Sequence, residues 1–318
     1  MDFNMRLFDS HSHIDDKSYD HDFDEMMQRA FNAGVEAIMV AGVTPETISK
    51  AIKIAQLYNN DYQQGDKMFG HNYYCGQTSE QDRAHKQLHC NFCQTGTPEE
   101  NHTQQQHVFI SVGMHPHDAQ YCSDDIIDDY KTLARQNPSV VKAWGETGLD
   151  FNRMHSPRDL QEKWFVRQIE AADELSLPMI FHERDSDGKL LQILESMNHR
   201  ERKGVVHCFS GTKQEMFRYL DLGYYIGITG ILTVQQRGMM LRELALLIPE
   251  ERIVIETDAP YLTPVPMKNK TRRNEPAFVE HVLHKLAQIR GVSAENLAEV
   301  LWNNTCSLYN IRGFESCI

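Results

Sequence analysis

The sequence predicts an α/β fold, a single (β/α)8 barrel with one long inserted loop between its second helix and its third strand. Three observations carry this. Eight short apolar runs recur along the chain with helix-patterned segments between them, and the runs are continuous rather than alternating, as in strands buried on both faces. The 318 residues suit one barrel domain, so 1–318 is expected to form one unit. Metal-capable side chains fall at the C-terminal ends of six of the runs. A closed barrel gathers such ends into one mouth, which favours it over an open doubly wound sheet.

The elements follow in order. Leu7-Phe8 opens a strand that leads into Asp9-Ser10-His11-Ser12-His13. Asp22 to Ala33 has helical apolar spacing and stops at Gly34; Val35 to Val40 is a strand. Thr44-Pro45-Glu46 starts a helix, with Thr44 as cap and Pro45 in the first turn. Strands are then expected at 108–113, at 140–144 running into Gly145-Glu146, at 178–181, 204–206, 224–228 and 253–256. Helices are expected at 124–136, through Leu175 after a cap at Ser156-Pro157-Arg158-Asp159, at 187–197, after the Thr212–Glu215 capping box, and at 241–247, 276–289 and 296–301. Trp144, just before Gly145-Glu146, is expected to fill space beneath the strand ends.

Residues 59–107 break the pattern. They are rich in Gln, Asn, His and Gly, and read as a flexible insertion on the face opposite the strands' C-terminal ends. Cys90 and Cys93, with His85 and His89 nearby, offer zinc ligands, but their spacing fits no standard zinc module, and an uncoordinated polar insertion is the preferred reading. A net charge of −13 argues against non-specific coating of nucleic acid or anionic membrane. No run approaches the roughly 18 apolar residues that span a bilayer, and the start lacks a signal-peptide pattern. Seven cysteines, an odd number, favour a reducing compartment. A cytoplasmic setting is expected, with nuclear entry left open, and no protein partner is indicated.

In an extended strand, residues two apart share a face, so His11 and His13 can aim two imidazoles at one point. His115, Glu146, His182, His207 and Asp258 stand at the ends of five further strands. Convergent ionisable groups are costly to bury, and a metal site accounts for them better than seven separate structural roles. Gly113-Met114-His115-Pro116-His117, Gly145-Glu146-Thr147-Gly148-Leu149-Asp150, Phe181-His182-Glu183-Arg184, His207-Cys208-Phe209-Ser210-Gly211, Glu256-Thr257-Asp258-Ala259-Pro260-Tyr261 and Arg273-Asn274-Glu275-Pro276 complete an ordered set with the His11-Ser12-His13 segment. This set resembles the successive motifs of the TatD family of metal-dependent deoxyribonucleases, which are TIM barrels. The resemblance covers nearly the whole chain apart from the insertion.

The resemblance implies hydrolysis of DNA phosphodiester bonds, 3′–5′ on single strands, by a water activated between two divalent cations. It implies that His11, His13 and Asp258 hold one cation, that His182 and His207 hold the other, and that Glu146 bridges them. It places His115 beside the substrate phosphate as donor or acid, and Asp258 can also take the water's proton. Mixed His and carboxylate ligands suit Zn²⁺ or Mn²⁺ on softness grounds, whereas the family is often described with Mg²⁺. Arg153, Arg184, Lys270, Arg272 and Arg273 are candidate phosphate contacts near the mouth. DNA binding is expected to run through the backbone with little sequence preference. A small-molecule amidohydrolase or esterase on the same barrel is the alternative; many such enzymes bridge their metals with a lysine after strand four, where this chain has Glu146.

Overall fold

The computed structural model describes residues 5–60, 106–197 and 201–312. Eight strands alternate with helices: β1 Leu7–Ser12, α1 Phe23–Asn32, β2 Val35–Gly42, α2 Pro45–Asn60, β3 His107–Val112, α3 Asp124–Gln136, β4 Val141–Asp150, α4 Arg158–Leu175, β5 Met179–Arg184, α5 Lys189–Ser196, β6 Gly204–Val206, α6 Lys213–Asp221, β7 Tyr225–Ile228, α7 Met239–Leu244 and β8 Ile253–Ile255. Two helices follow, α8 Val279–Arg290 and α9 Ala294–Leu308. Each strand pairs in parallel with the next, from β1 through to β8. The remaining edge is joined beyond β8, where Asp258 N–H donates to the His11 carbonyl (2.9 Å) and His13 N–H donates to the Ala259 carbonyl (2.7 Å). This is the expected barrel.

Two apolar layers hold it. Outward-facing strand residues such as Ile38, Ile110 and Phe181 pack under the helices with Phe165, Ile169 and Leu190. Inward-facing residues Phe8, Met39, Phe109, Ile180, Tyr225 and Val254 form a second cluster with Trp302, Leu308 and Tyr309 of and after α9. The last helix therefore plugs the N-terminal end of the barrel. Trp302 lies 5.7 Å from the Phe8 ring, and the Tyr309 hydroxyl donates to the Ser10 carbonyl at 2.9 Å.

Several expected boundaries shift for identifiable reasons. The helix expected at 296–301 runs to Leu308, because its polar residues are satisfied internally. The Asn304 amide donates to the Glu250 and Ile253 carbonyls, each at 2.8 Å, and the Thr305 hydroxyl donates to the Leu301 carbonyl. The helix expected at 276–289 opens with a 3-10 turn, Pro276–Phe278, before α8. The Thr212–Glu215 capping box is present as expected. Ser156 does not cap α4; its hydroxyl donates to the His117 carbonyl and accepts from Gln120 N–H. Trp144 does not lie beneath the strand ends. It faces outward, beside Tyr130 of α3, and its indole donates to Gln168 of α4 at 3.2 Å.

The insertion is narrower at its edges than 59–107. α2 continues to Asn60, and the Asn59 side chain bonds both the carbonyl and the N–H of Val108 (2.9 and 3.0 Å), clamping the helix end to β3. Residues 61–105, including the Cys90 and Cys93 pair, lie outside the described residues.

The plug yields a stability prediction. Trp302 is buried and carries the Arg6 guanidinium 4.5 Å from its ring. Trp302→Ala is expected to cost about 3–5 kcal/mol in a urea unfolding titration. Wild-type stability in that variant would show that α9 does not hold the barrel.

Candidate metal centre

The site is built where strands end. β1 delivers His11 and His13 to the same side, as the strand period requires. His11 is fully buried and stacks on His207 with ring centroids 3.9 Å apart. The His13 Nδ1 faces the Ala41 carbonyl at 3.2 Å, which fixes that nitrogen as a donor and turns Nε2 to the centre. β4 supplies Glu146. Here the backbone is tight: Gly145 has φ 139°, and a Cβ on it would sit 2.5 Å from the Ile180 carbonyl oxygen. Gly148 has φ 154°, with the His182 carbonyl oxygen 2.0 Å from where its Cβ would be. Only glycine lets β3, β4 and β5 approach this closely. Asp258 follows β8 at φ 55°, a strained conformation that aspartate tolerates better than most residues.

Glu146 is the hub. Its Oε2 lies 3.3 Å from His11 Nε2 and 3.7 Å from His13 Nε2. Its Oε1 lies 2.5 Å from His182 Nδ1, 3.2 Å from His207 Nε2 and 3.4 Å from His115 Nε2. Asp258 Oδ1 stands 3.7 and 3.6 Å from the Nε2 atoms of His11 and His13. The two oxygens of one carboxylate thus face two different groups of imidazoles. His11, His13 and Glu146 form one set whose ligand atoms lie within 4.8 Å of one another; Glu146, His182 and His207 form a second.

These donors fit divalent cations. Imidazole nitrogens and carboxylate oxygens aim lone pairs at shared points, an arrangement that needs protons or cations between them. Burial works against the charge on Glu146, but His207 and His115 beside it hold its carboxyl well below the usual range. Burial likewise opposes protonation of His13, yet Asp258 and Glu146 push it up to about 9. For His182, Asp150 and Glu146 overcome burial and give about 9. His115 goes the other way, down to about 4, through burial and the neighbouring His182. Its Nδ1 accepts from His117 N–H at 3.1 Å, so the neutral ring carries its proton on Nε2 and acts as a donor.

Sequence reasoning gave no role to three residues that shape this centre. Glu256 is fully buried; its Oε1 lies 3.2 Å from His207 Nδ1 and accepts from Cys208 N–H, which turns His207 Nε2 inward. Asp150 Oδ2 lies 2.7 Å from His117 Nε2 and 3.4 Å from His182 Nε2. Asp9 accepts from the Thr257 N–H and hydroxyl and so fixes the approach to Asp258. The signal was available for Glu256, two residues before Asp258.

The candidate phosphate contacts separate. Arg153, Lys270 and Arg272 are exposed, and Arg184 is half-buried at the end of β5. Arg273 is not free for phosphate: its guanidinium donates to both carboxylate oxygens of Asp22 (2.6 and 2.5 Å) and to the Ser18 carbonyl, and lies 4.7 Å from the centre of the Tyr19 ring. With Arg29 and Glu275 it straps the loop after β8 to α1. Its charge is consumed by partners far away in sequence.

A parallel barrel whose strand ends converge five imidazoles and two carboxylates defines a metal-dependent hydrolase. The family is more specific. The model for TatD-related DNases matches residues 8–63 and 85–310, and the chain belongs to that family. It is 34% identical over 307 residues to a 3′-5′ ssDNA/RNA exonuclease TatD of Escherichia fergusonii, covering 96% of this chain and 99% of that one. It is 44% identical over 201 residues to a protein of the same name from a Rahnella species, covering 63% of this chain and 76% of the relative. Among solved structures, a TatD homologue from Escherichia coli K12 superposes with a TM-score of 0.76 at 25% identity, over 97% of this chain and 100% of that one. Among the described residues no helix is long and apolar enough to cross a membrane.

The protonation pattern predicts how cations bind. His13 and His182 hold extra protons below about pH 9, and a cation must displace them. Affinity for Mn²⁺ should therefore rise with pH up to about 9, with protons released at neutral pH. Calorimetry in buffers of different ionisation enthalpy reads that release; pH-independent affinity with none released would contradict the pattern.

Proposed function

We propose that this protein is a 3′–5′ exonuclease that hydrolyses phosphodiester bonds of single-stranded DNA, and of RNA at the same site. The observation that carries it is Glu146, whose two oxygens face separate imidazole groups. In this reading His11, His13 and Asp258 would hold one divalent cation, His182 and His207 would hold a second, and Glu146 would serve both. Cations bound there would supply Lewis acidity and a more acidic water. The donor set favours Zn²⁺ or Mn²⁺ over Mg²⁺ on softness.

The chain's own residues do the rest. Asp258 is held below the usual carboxylate range: His13 and the neighbouring His207 and His11 outweigh its burial. It is therefore ionised at neutral pH and, partly exposed at the mouth, can accept the proton of an attacking water. His115, neutral with its proton on Nε2, can donate a hydrogen bond to a phosphoryl oxygen. Glu256 and Asp150 hold His207 and His182 in their working orientation. Exposed Lys270 and Arg272 supply backbone contacts with little regard to sequence. The relatives' names support a strand substrate over the small amides or esters of an amidohydrolase. We place the enzyme in the cytoplasm, in keeping with the free thiols of Cys122, Cys208 and Cys306.

The test is hydrolysis of a 5′-labelled single-stranded oligonucleotide by the purified protein in EDTA, then with Mg²⁺, Mn²⁺ or Zn²⁺ restored. Stepwise shortening with metal, lost by at least about 100-fold in Glu146→Gln, is expected. Bound metal without strand cleavage would refute the reading.

A further inference from the structure

A second feature of the same face lies beside the metal centre. The loops after β7 and β8 enclose a cavity of about 360 Å³ with an apolar floor of Ile231, Val234 and Leu262 and a rim of Arg237, Lys268 and Arg272. That is within the range of roughly 300–1,000 Å³ typical of small-ligand sites. Among the described residues no acidic side chain lines it. The three cationic side chains are exposed and make no hydrogen bond or ion pair among the described residues. In a chain of net charge −13, unneutralised cations gathered around an apolar floor are out of keeping with the rest of the surface. The larger groove between α4 and α5 shows the contrast: its Lys189 is paired with Glu162 (3.1 Å) and its Arg218 with Glu195 (2.7 Å).

The cavity is built firmly. Val265 N–H donates to the Thr233 hydroxyl at 2.8 Å, which ties the two loops together, and the Thr263 hydroxyl donates to the Arg272 carbonyl at 3.0 Å, which braces the loop after β8 within itself. Gly230 packs so closely that a Cβ would lie 2.5 Å from the Leu262 carbonyl oxygen. Leu262 itself is held at φ 54°. Tyr261 stands between cavity and centre. It is 56% exposed, its ring lies 6.0 Å from that of His13, and it adjoins Leu262 of the cavity floor.

We propose that this cavity is a nucleotide subsite: it seats a base of the substrate strand on its apolar floor and binds the flanking phosphates through Arg237 and Lys268, with Tyr261 as the stacking step between it and the metal centre. The proposal rests on the strand-hydrolysis reading and adds where the strand lies. The chemistry selects this occupant. A flat aromatic base matches the floor, a phosphodiester matches the rim, and an aromatic side chain beside a cationic groove is the general arrangement for single strands. Base stacking of this kind is sequence-tolerant, because every base offers a π-face.

The experiment is equilibrium binding, by fluorescence anisotropy with divalent cation present, of a labelled phosphorothioate oligothymidylate that resists hydrolysis. Arg237→Ala combined with Lys268→Ala is expected to weaken binding about ten-fold. It should also reduce the slope of log affinity against log salt by about 1.4, at about 0.7 for each single-strand phosphate that the variant no longer neutralises. Tyr261→Ser should weaken binding, and Tyr261→Phe should restore it. Unchanged affinity and salt slope in the double variant, or no binding by the wild type, overturns the subsite. A weakened double variant of a protein that cleaves no strand would instead sustain the subsite and refute the hydrolysis reading.

Discussion

The carboxylate of Glu146 is the constraint on which the centre depends. It is 3% exposed, and stranding its charge there without partners would cost several kcal/mol. Five imidazoles surround it within 3.7 Å, divided between its two oxygens. Such a cluster holds together only through positive charge placed between the rings and the carboxylate. Protons supply it in part, which is why His13 and His182 are pushed up to about 9. Divalent cations supply it with fixed geometry and greater charge density. The stability of the site and its fitness to hold cations thus share one cause.

The barrel supports this centre at three levels. The backbone bonds between His11 and Asp258 and between His13 and Ala259 join the last strand to the first, so candidate ligands at opposite ends of the sequence meet. Buried carboxylates then orient the rings, Glu256 behind His207 and Asp150 behind His182. Farther out, the Asp22–Arg273 pair and the Arg29–Glu275 pair hold the loop after β8 against α1. That loop carries both Asp258 and Tyr261, so a surface ion-pair network reaches the position of a candidate ligand. α9 closes the opposite end, leaving the mouth as the route to the buried donors.

Much of this was legible in the sequence because it is a matter of period and position. Buried parallel strands are apolar runs, and every residue of the expected ligand set stands just past such a run. What escaped did so for physical reasons. Trp144 was expected to fill space beneath the strand ends, but it faces outward, and the register shift between Trp144 and Thr147 in the pairing of β4 with β5 is not visible in the sequence. The true length of α9 was hidden because the partners that satisfy Asn304 and Thr305 inside the protein are not visible in the sequence. Arg273 looked like one more cation of a basic loop; its partner Asp22 is 251 residues away, and no local pattern reveals it. Glu256 and Asp150 were visible within motifs, yet their roles depend on which ring nitrogen they face.

The most direct test is anomalous diffraction at the manganese edge from crystals grown with Mn²⁺. Two peaks are expected, one on each side of Glu146, the first against His11, His13 and Asp258 and the second against His182 and His207. A single peak, or metal that does not contact Glu146, would contradict the account.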